Sequence, residues 1–157
     1  MPRPRLKTPE EGAVSNTLSD RDFYARANEQ AALLRARRFG EADIEDIAEE
    51  IESMGRGEKR ELVNSLAVHL LHLLNWQYQP PLRGNSWRLT VEEQRYRLEH
   101  HLNDNPSLRS QIAQAVREAY RLTLVTAERE TGLVRCTFPK DCPYTFEQAM
   151  TPDFWPE

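Results

Sequence analysis

Cysteine is scarce. The 157 residues hold two, Cys136 and Cys142, too few for a disulfide framework and too far apart for a C-x-x-C pair. Both thiols are expected to be reduced in a cytoplasmic protein. No apolar run follows Met1 to Lys7, which argues against a secretory signal peptide. No stretch approaches the roughly 20 apolar residues that cross a bilayer, so no membrane partner is expected. An excess of base is missing too: the net charge is −4, where a general nucleic-acid binder is usually basic. There is no repeat of solenoid length.

Catalytic signatures are equally sparse. There is no G-x-x-x-x-G-K-[ST], so no P-loop. Gly55-Arg56-Gly57 lacks the strand and third glycine of a dinucleotide site. There is no G-x-S-x-G elbow and no H-E-x-x-H. No Glu lies three residues before a His, which removes the Glu-x-x-His signature of di-iron bundles.

What the chain does have is amphipathic helix. At 39% apolar and 29% charged residues it reads as a globular protein with one sizeable core. Its organising stretch runs from Asp43 to Gln79. Ile44, Ile47, Ala48 and Ile51 repeat at helical spacing on an otherwise acidic surface. Asp43 is placed to cap, with Glu45 and Asp46 in the first turn, where the helix dipole favours negative charge. Gly55 and Gly57 raise the alternative of a break. Phase favours continuity: Ile44 and Leu62 are 18 residues apart, about five turns of 3.6 residues, so the apolar stripe resumes on one face. Gly55 falls on that stripe, where a missing side chain would admit a neighbouring helix. From Leu62 to Leu74 the helix is apolar around most of its circumference, the pattern of a helix buried by others.

Flanking elements follow. Residues 1–17, with Pro2, Pro4, Pro9 and Gly12, read as a flexible tail. Ser19 with Asp22 resembles a capping box, and Leu18 can staple onto Phe23. A first helix with the stripe Phe23, Ala27, Ala31 and Leu34 then closes at Gly40. The short connection makes it an antiparallel neighbour of the central helix. A Pro-Pro loop follows Tyr78. Ser86 or Thr90 opens an outer helix with the narrow stripe Trp87, Val91, Leu98 and Leu102. Asn105 and Pro106 open another, with Leu108, Ile112, Val116, Ala119, Leu122, Thr123 and Thr126 running down to Gly132. Residues 133–157, rich in proline and aromatics, predict an extended arm that buries its rings, with one short capped turn at Thr145 and Gln148. The expected fold is all-α: one domain over 18–157, a small helical bundle around a long central helix at about 43–79 with an aromatic-rich C-terminal arm.

The runs Asp22-Phe23-Tyr24-Ala25, Ala48-Glu49-Glu50-Ile51-Glu52-Ser53-Met54-Gly55 and Lys59-Arg60-Glu61-Leu62 are distinctive as a set. With them go His72-Leu73-Leu74-Asn75-Trp76, Ser86-Trp87, Pro106-Ser107-Leu108, Glu130-Thr131-Gly132 and Cys142-Pro143-Tyr144-Thr145. Together, in order over residues 18–157, they resemble a bacterial family described as domain of unknown function 29. Asn75 stands where the family commonly has a basic residue, and Arg26 where it commonly has Trp. The resemblance implies an all-helical fold. It implies no activity, cofactor or catalytic residue.

Three functions remain to be weighed. The first is a non-enzymatic helical module for protein contacts, regulatory in character, with Glu49, Glu50 and Glu52 of the acidic run and Trp87, Arg88 and Arg95 as its candidate surface. The second is a metal-dependent enzyme: His69 and His72 are three apart on one helix face and can share a divalent metal. Its third ligand would come from Asp43 or Asp46 if the helix breaks at Gly55 to Gly57, or from His100 or His101. Against it, His72 also fits a polar strip with Ser65, Asn75 and Gln79. Nucleic-acid binding ranks last. Arg83, Arg88, Arg95 and Arg97 flank Trp87 and Tyr96, but Glu92, Glu93 and Glu99 interleave, four positive charges against three negative.

Overall fold

The structure is a computed structural model and describes residues 22–157. Five α-helices and three short 3-10 turns follow one another, with no strand among the described residues. The fold is all-α. By its internal contacts the chain divides at Glu52 and Ser53 into two compact units.

In the first unit, α1 spans Phe23–Arg35. Its N-cap is Asp22, whose carboxylate accepts from the Ala25 N–H at 3.0 Å. The Ser19 capping box, the Leu18 staple and the tail of residues 1–17 lie outside the described residues. The helix ends before Gly40, because Arg37 takes a left-handed φ of 59°, which costs an L-residue about 1 kcal/mol. Asp43 caps α2, Ile44–Tyr78, through an Oδ1 bond from Asp46 N at 3.1 Å. Polar contacts join the two helices: Gln30 Oε1 accepts from Asp43 N at 2.8 Å, and Arg26 meets Asp46 at 3.1 Å. The stripe predicted to bury α1 does not do so, since α1 has no buried residue.

Helix α2 is continuous through both glycines. A Cβ at Gly55 would meet nothing within 4 Å, so Gly55 does not admit a neighbouring helix among the described residues. Its cost is then purely conformational. Gly55→Ala is expected to raise stability by about 0.5–1 kcal/mol, read as a higher urea midpoint at unchanged slope.

The second unit holds the core. Leu62, Val63, Leu66, Leu70, Leu71, Leu73 and Leu74 of α2 are buried there, each fully buried leucine contributing about 1.5–3 kcal/mol. They cluster with Val91, Leu98 and Leu102 of α3 (Asn85–Asp104) and with Ala115, Ala119, Tyr120 and Ala127 of α4 (Ile112–Thr131). The stretch Pro106–Gln111 winds as a 3-10 turn before α4 begins. The buried face of α4 is accordingly Ala115, Ala119, Tyr120, Thr123 and Ala127, while Leu122 is exposed. Thr123 keeps its hydroxyl satisfied in the core by donating to Ala67 O at 3.0 Å. Gly132, at φ 70°, ends α4 in the left-handed conformation that glycine adopts without strain.

The last segment carries α5, Phe146–Met150, opened by a complete capping box between Thr145 and Gln148. Its aromatics pack against the helices and each other. Trp155 lies 4.4 Å from Trp76 between centroids, Phe138 meets Tyr78 edge-on at 5.0 Å, and Tyr144 meets Phe154 at 5.7 Å. The Tyr144 hydroxyl donates to Gln77 Oε1 at 2.6 Å, and that of Tyr120 to Pro139 O at 2.8 Å.

Candidate functional site

The chemistry-bearing side chains converge where the C-terminal segment crosses α2 and α3. His69 is fully buried on α2. Its Nε2 lies 2.8 Å from Ala149 O; since a carbonyl only accepts, this nitrogen carries the proton. The bare Nδ1 is buried and has no partner among the described residues. Burial is the main cause that pushes the imidazole down to about 4, with Arg95 and His72 adding to it against the Ala149 bond. His69 is therefore neutral at pH 7.

Arg95 reaches the same carbonyl. Its Nε donates to Ala149 O at 2.9 Å, Nη1 to Pro152 O at 2.9 Å and Nη2 to Phe154 O at 2.8 Å. The guanidinium also lies 5.4 Å from the Trp155 ring centroid, within cation–π range. Burial pushes its pKa down from the usual value, opposed by Glu92 and Asp153. Helices α2 and α3 each supply one donor side chain, and the backbone around α5 supplies every acceptor. Chemically this is a clamp: the Nε2 of His69 and all three nitrogens of the Arg95 guanidinium are spent on holding chain.

Sequence composition places Arg95 on an interaction surface, yet it is inside. A signal for that is present in the sequence. Val91, Arg95, Leu98 and Leu102 follow helical spacing, so Arg95 occupies a core position that an apolar residue would otherwise take.

His72 sits one turn along and spends Nδ1 on Val68 O at 2.9 Å, inside its own helix. His101 contacts Glu58 through both ring nitrogens, Nε2 to its carbonyl at 3.0 Å and Nδ1 to its carboxylate at 3.7 Å. His100 pairs with Asp104 at 3.0 Å. The break at Gly55 to Gly57 that would bring in Asp43 or Asp46 does not occur. Among the described residues, no three His, Cys, Asp or Glu side chains stand together as a metal site. Burial is the main cause that pushes the Cys142 thiol up, and its Sγ donates to Tyr144 O at 3.3 Å.

The other candidate residues are dispersed. Arg88 pairs with Glu92 at 2.6 Å and Arg97 with Glu93 at 2.7 Å, while Arg83 donates to Trp76 O at 2.6 Å and lies over the Trp76 ring. With Arg95 buried, each arginine of that run is engaged within the chain. Trp87 is half-buried. Glu49 and Glu52 are exposed on α2, and Glu50 lies 4.0 Å from Arg26.

A family profile described as Domain of unknown function DUF29 matches residues 18–155. The chain belongs to this family. The matched range includes the clamp, His69, His72 and the acidic start of α2. Comparisons with curated proteins and with solved structures give no match. No helix among the described residues is long and apolar enough to cross a membrane.

Proposed function

We propose that the protein is a non-enzymatic helical adaptor whose first unit docks a basic amphipathic helix of another protein. One observation carries this reading: Ile44, Ala48 and Ile51 form a stripe on α2 whose isoleucines stay exposed, Ile44 at 53% and Ile51 at 64%. Phe23 and Tyr24 of α1 are exposed as well. An apolar stripe at i, i+4 and i+7 is the surface a partner helix reads. Residues 22–52 carry nine carboxylates and four arginines, a net of five negative charges. A second copy would set like charge against like; a basic segment is complementary. Glu45 and Glu49 border the stripe on its polar side and would meet lysines or arginines flanking the partner's apolar face.

The test titrates the full chain into a fluorescent 18-residue Lys/Leu amphipathic peptide. The expected Kd is about 1–10 μM, weakened several-fold by salt as rim charges are screened. Ile44→Asp with Ile51→Asp should weaken it at least about tenfold, because both side chains are already in water and their replacement leaves the core intact. Equal binding by that variant, or none by the parent, overturns the proposal. So does sedimentation showing a dimer that the same variant dissolves, which would give the stripe to a second copy.

A further inference from the structure

Helix α4 carries arginines that the chain leaves unused. Arg117 has no acid three or four residues away, its neighbours there being Ala113, Gln114, Tyr120 and Arg121. Arg121 has Glu118, but that carboxylate accepts from Gln114 at 2.8 Å and lies 3.8 Å from Lys59. Both arginines are exposed and pair with no carboxylate among the described residues. Like charges at i, i+4 repel on a helix face; Arg88 and Arg97 of α3 instead each hold a glutamate four residues away. Arg117, Arg121, Leu124 and Glu128 follow at i, i+4, i+7 and i+11, so they share one side of α4. That side leads to a cavity of about 590 Å³, lined by Leu124, Arg135, Cys136, Phe138, Pro139 and Lys140. Its volume falls within the roughly 300–1,000 Å³ of ligand pockets. The apolar wall is chiefly Leu124 and Pro139, both half-buried, since Phe138 is only 5% exposed. Of the polar groups, Pro139 O is taken by the Tyr120 hydroxyl at 2.8 Å, and Arg135 spends Nε and Nη2 on Glu128 at 3.0 and 2.7 Å. Cys136 is exposed. Lys140 is exposed too and pairs with no carboxylate among the described residues. Within residues 117–128 and 135–141, three unpaired cations thus stand against one unpaired acid, Asp141.

We infer that this side of α4 docks an extended acidic segment of another protein, with a leucine side chain of that segment seated in the cavity. Charge complementarity sets the sign of the partner. Distance sets its spacing: Arg117 and Leu124 are seven residues apart, about 10 Å along the helix at 1.5 Å per residue. An extended chain covers that in about three residues at roughly 3.3 Å each. Carboxylates about three residues before the leucine therefore reach Arg117 and Arg121, and one just after it reaches Lys140. A small anion held in the cavity would leave Arg117 and Arg121 unused. The surface belongs to the second unit and is opposite in charge to the stripe of the first, so it does not rest on the docking proposed there. An adaptor built this way would join a basic segment to an acidic one.

Cys136 reports occupancy, because its exposed thiol lies in the cavity wall. The test follows alkylation of Cys136 in the full chain by iodoacetamide, read by mass spectrometry, as the peptide acetyl-Asp-Glu-Gly-Gly-Leu-Glu-Gly-amide is added. Saturable slowing at a Kd of about 100 μM is expected, weakened several-fold by salt. The same peptide with Asn and Gln for its acids, or with Gly for its leucine, should bind at least about tenfold more weakly. Arg117→Gln with Arg121→Gln changes two exposed positions, keeps the fold and should weaken binding by the same factor. Ile44→Asp with Ile51→Asp should leave it unchanged, which separates this surface from that of the first unit. Absence of slowing overturns the assignment, as does slowing that the neutral peptide matches or the arginine variant retains. Two further outcomes overturn it by naming another occupant. One is shielding of Cys136 by phosphatidylglycerol vesicles but not by the peptide. The other is self-association in sedimentation that the arginine variant abolishes.

Discussion

Arg95→Met is expected to destabilise the protein by about 3–5 kcal/mol and to loosen its C-terminal segment before the rest unfolds. The guanidinium makes three hydrogen bonds to backbone carbonyls of that segment. Bonds with a charged donor contribute about 1.5–3 kcal/mol each, and a buried carbonyl stripped of its donor costs about 1–3. Methionine regains some apolar packing, which keeps the net below the sum of three bonds. Ala149 O retains His69, while Pro152 O and Phe154 O lose the guanidinium that serves them both. The position is specific to arginine. A lysine ammonium is a single point and cannot span three carbonyls that the planar fork reaches at once. Arg95→Lys should therefore recover less than half of the loss. Urea unfolding of the three proteins measures the differences. The thiol of Cys142, which lies in the same segment and is half-buried, reports loosening as faster labelling under native conditions. A loss under about 1 kcal/mol, or Cys142 labelling as slow as in the parent, would show that the rings of the segment hold it without the clamp.

The long helix is legible in the sequence because phase is arithmetic: the stripe of α2 resumes after Gly55 and Gly57 in register, and two glycines cost less than the packing beyond Leu62 returns. The turn at Thr145 and Gln148 is legible because a capping box is local chemistry, complete within four residues. Sequence patterns mislead where the answer is tertiary. The stripe Phe23, Ala27, Ala31 and Leu34 has the spacing of a buried face, but two helices alone cannot cover each other, and Arg26 and Gln30 take the facing positions. Leu122 has the right period for the core; the 3-10 turn before α4 and the fit of small residues select Ala115, Ala119 and Ala127 instead. Arg95 groups with Arg83, Arg88 and Arg97 by composition, although its own spacing places it among Val91, Leu98 and Leu102. No pattern in the sequence joins Asn75 to Glu130, since they meet only after the chain between them has folded.

His69 makes the stability of the second unit acid-sensitive in a defined window. Its folded pKa is about 4 against 6.5 for the free side chain, so the unfolded chain binds a proton more readily. A depressed histidine contributes its full stability above pH 6.5, and that contribution falls as pH drops through the interval to 4. At 1.36 kcal/mol per unit the loss between pH 7 and pH 4 is about 3 kcal/mol. The structural reason is visible at the clamp. Protonation would add a charge at Nδ1, which has no acceptor among the described residues, and place an imidazolium beside the Arg95 guanidinium, both converging on Ala149 O. Carboxylates also titrate toward pH 4, so the parent alone cannot isolate the effect. His69→Gln keeps a donor for Ala149 O and does not titrate. The gap between the two stability curves should shift by about 3 kcal/mol from pH 7 to pH 4, with the variant gaining on the parent as acid increases. Parallel curves would mean that the clamp yields and lets water reach His69 before the proton does.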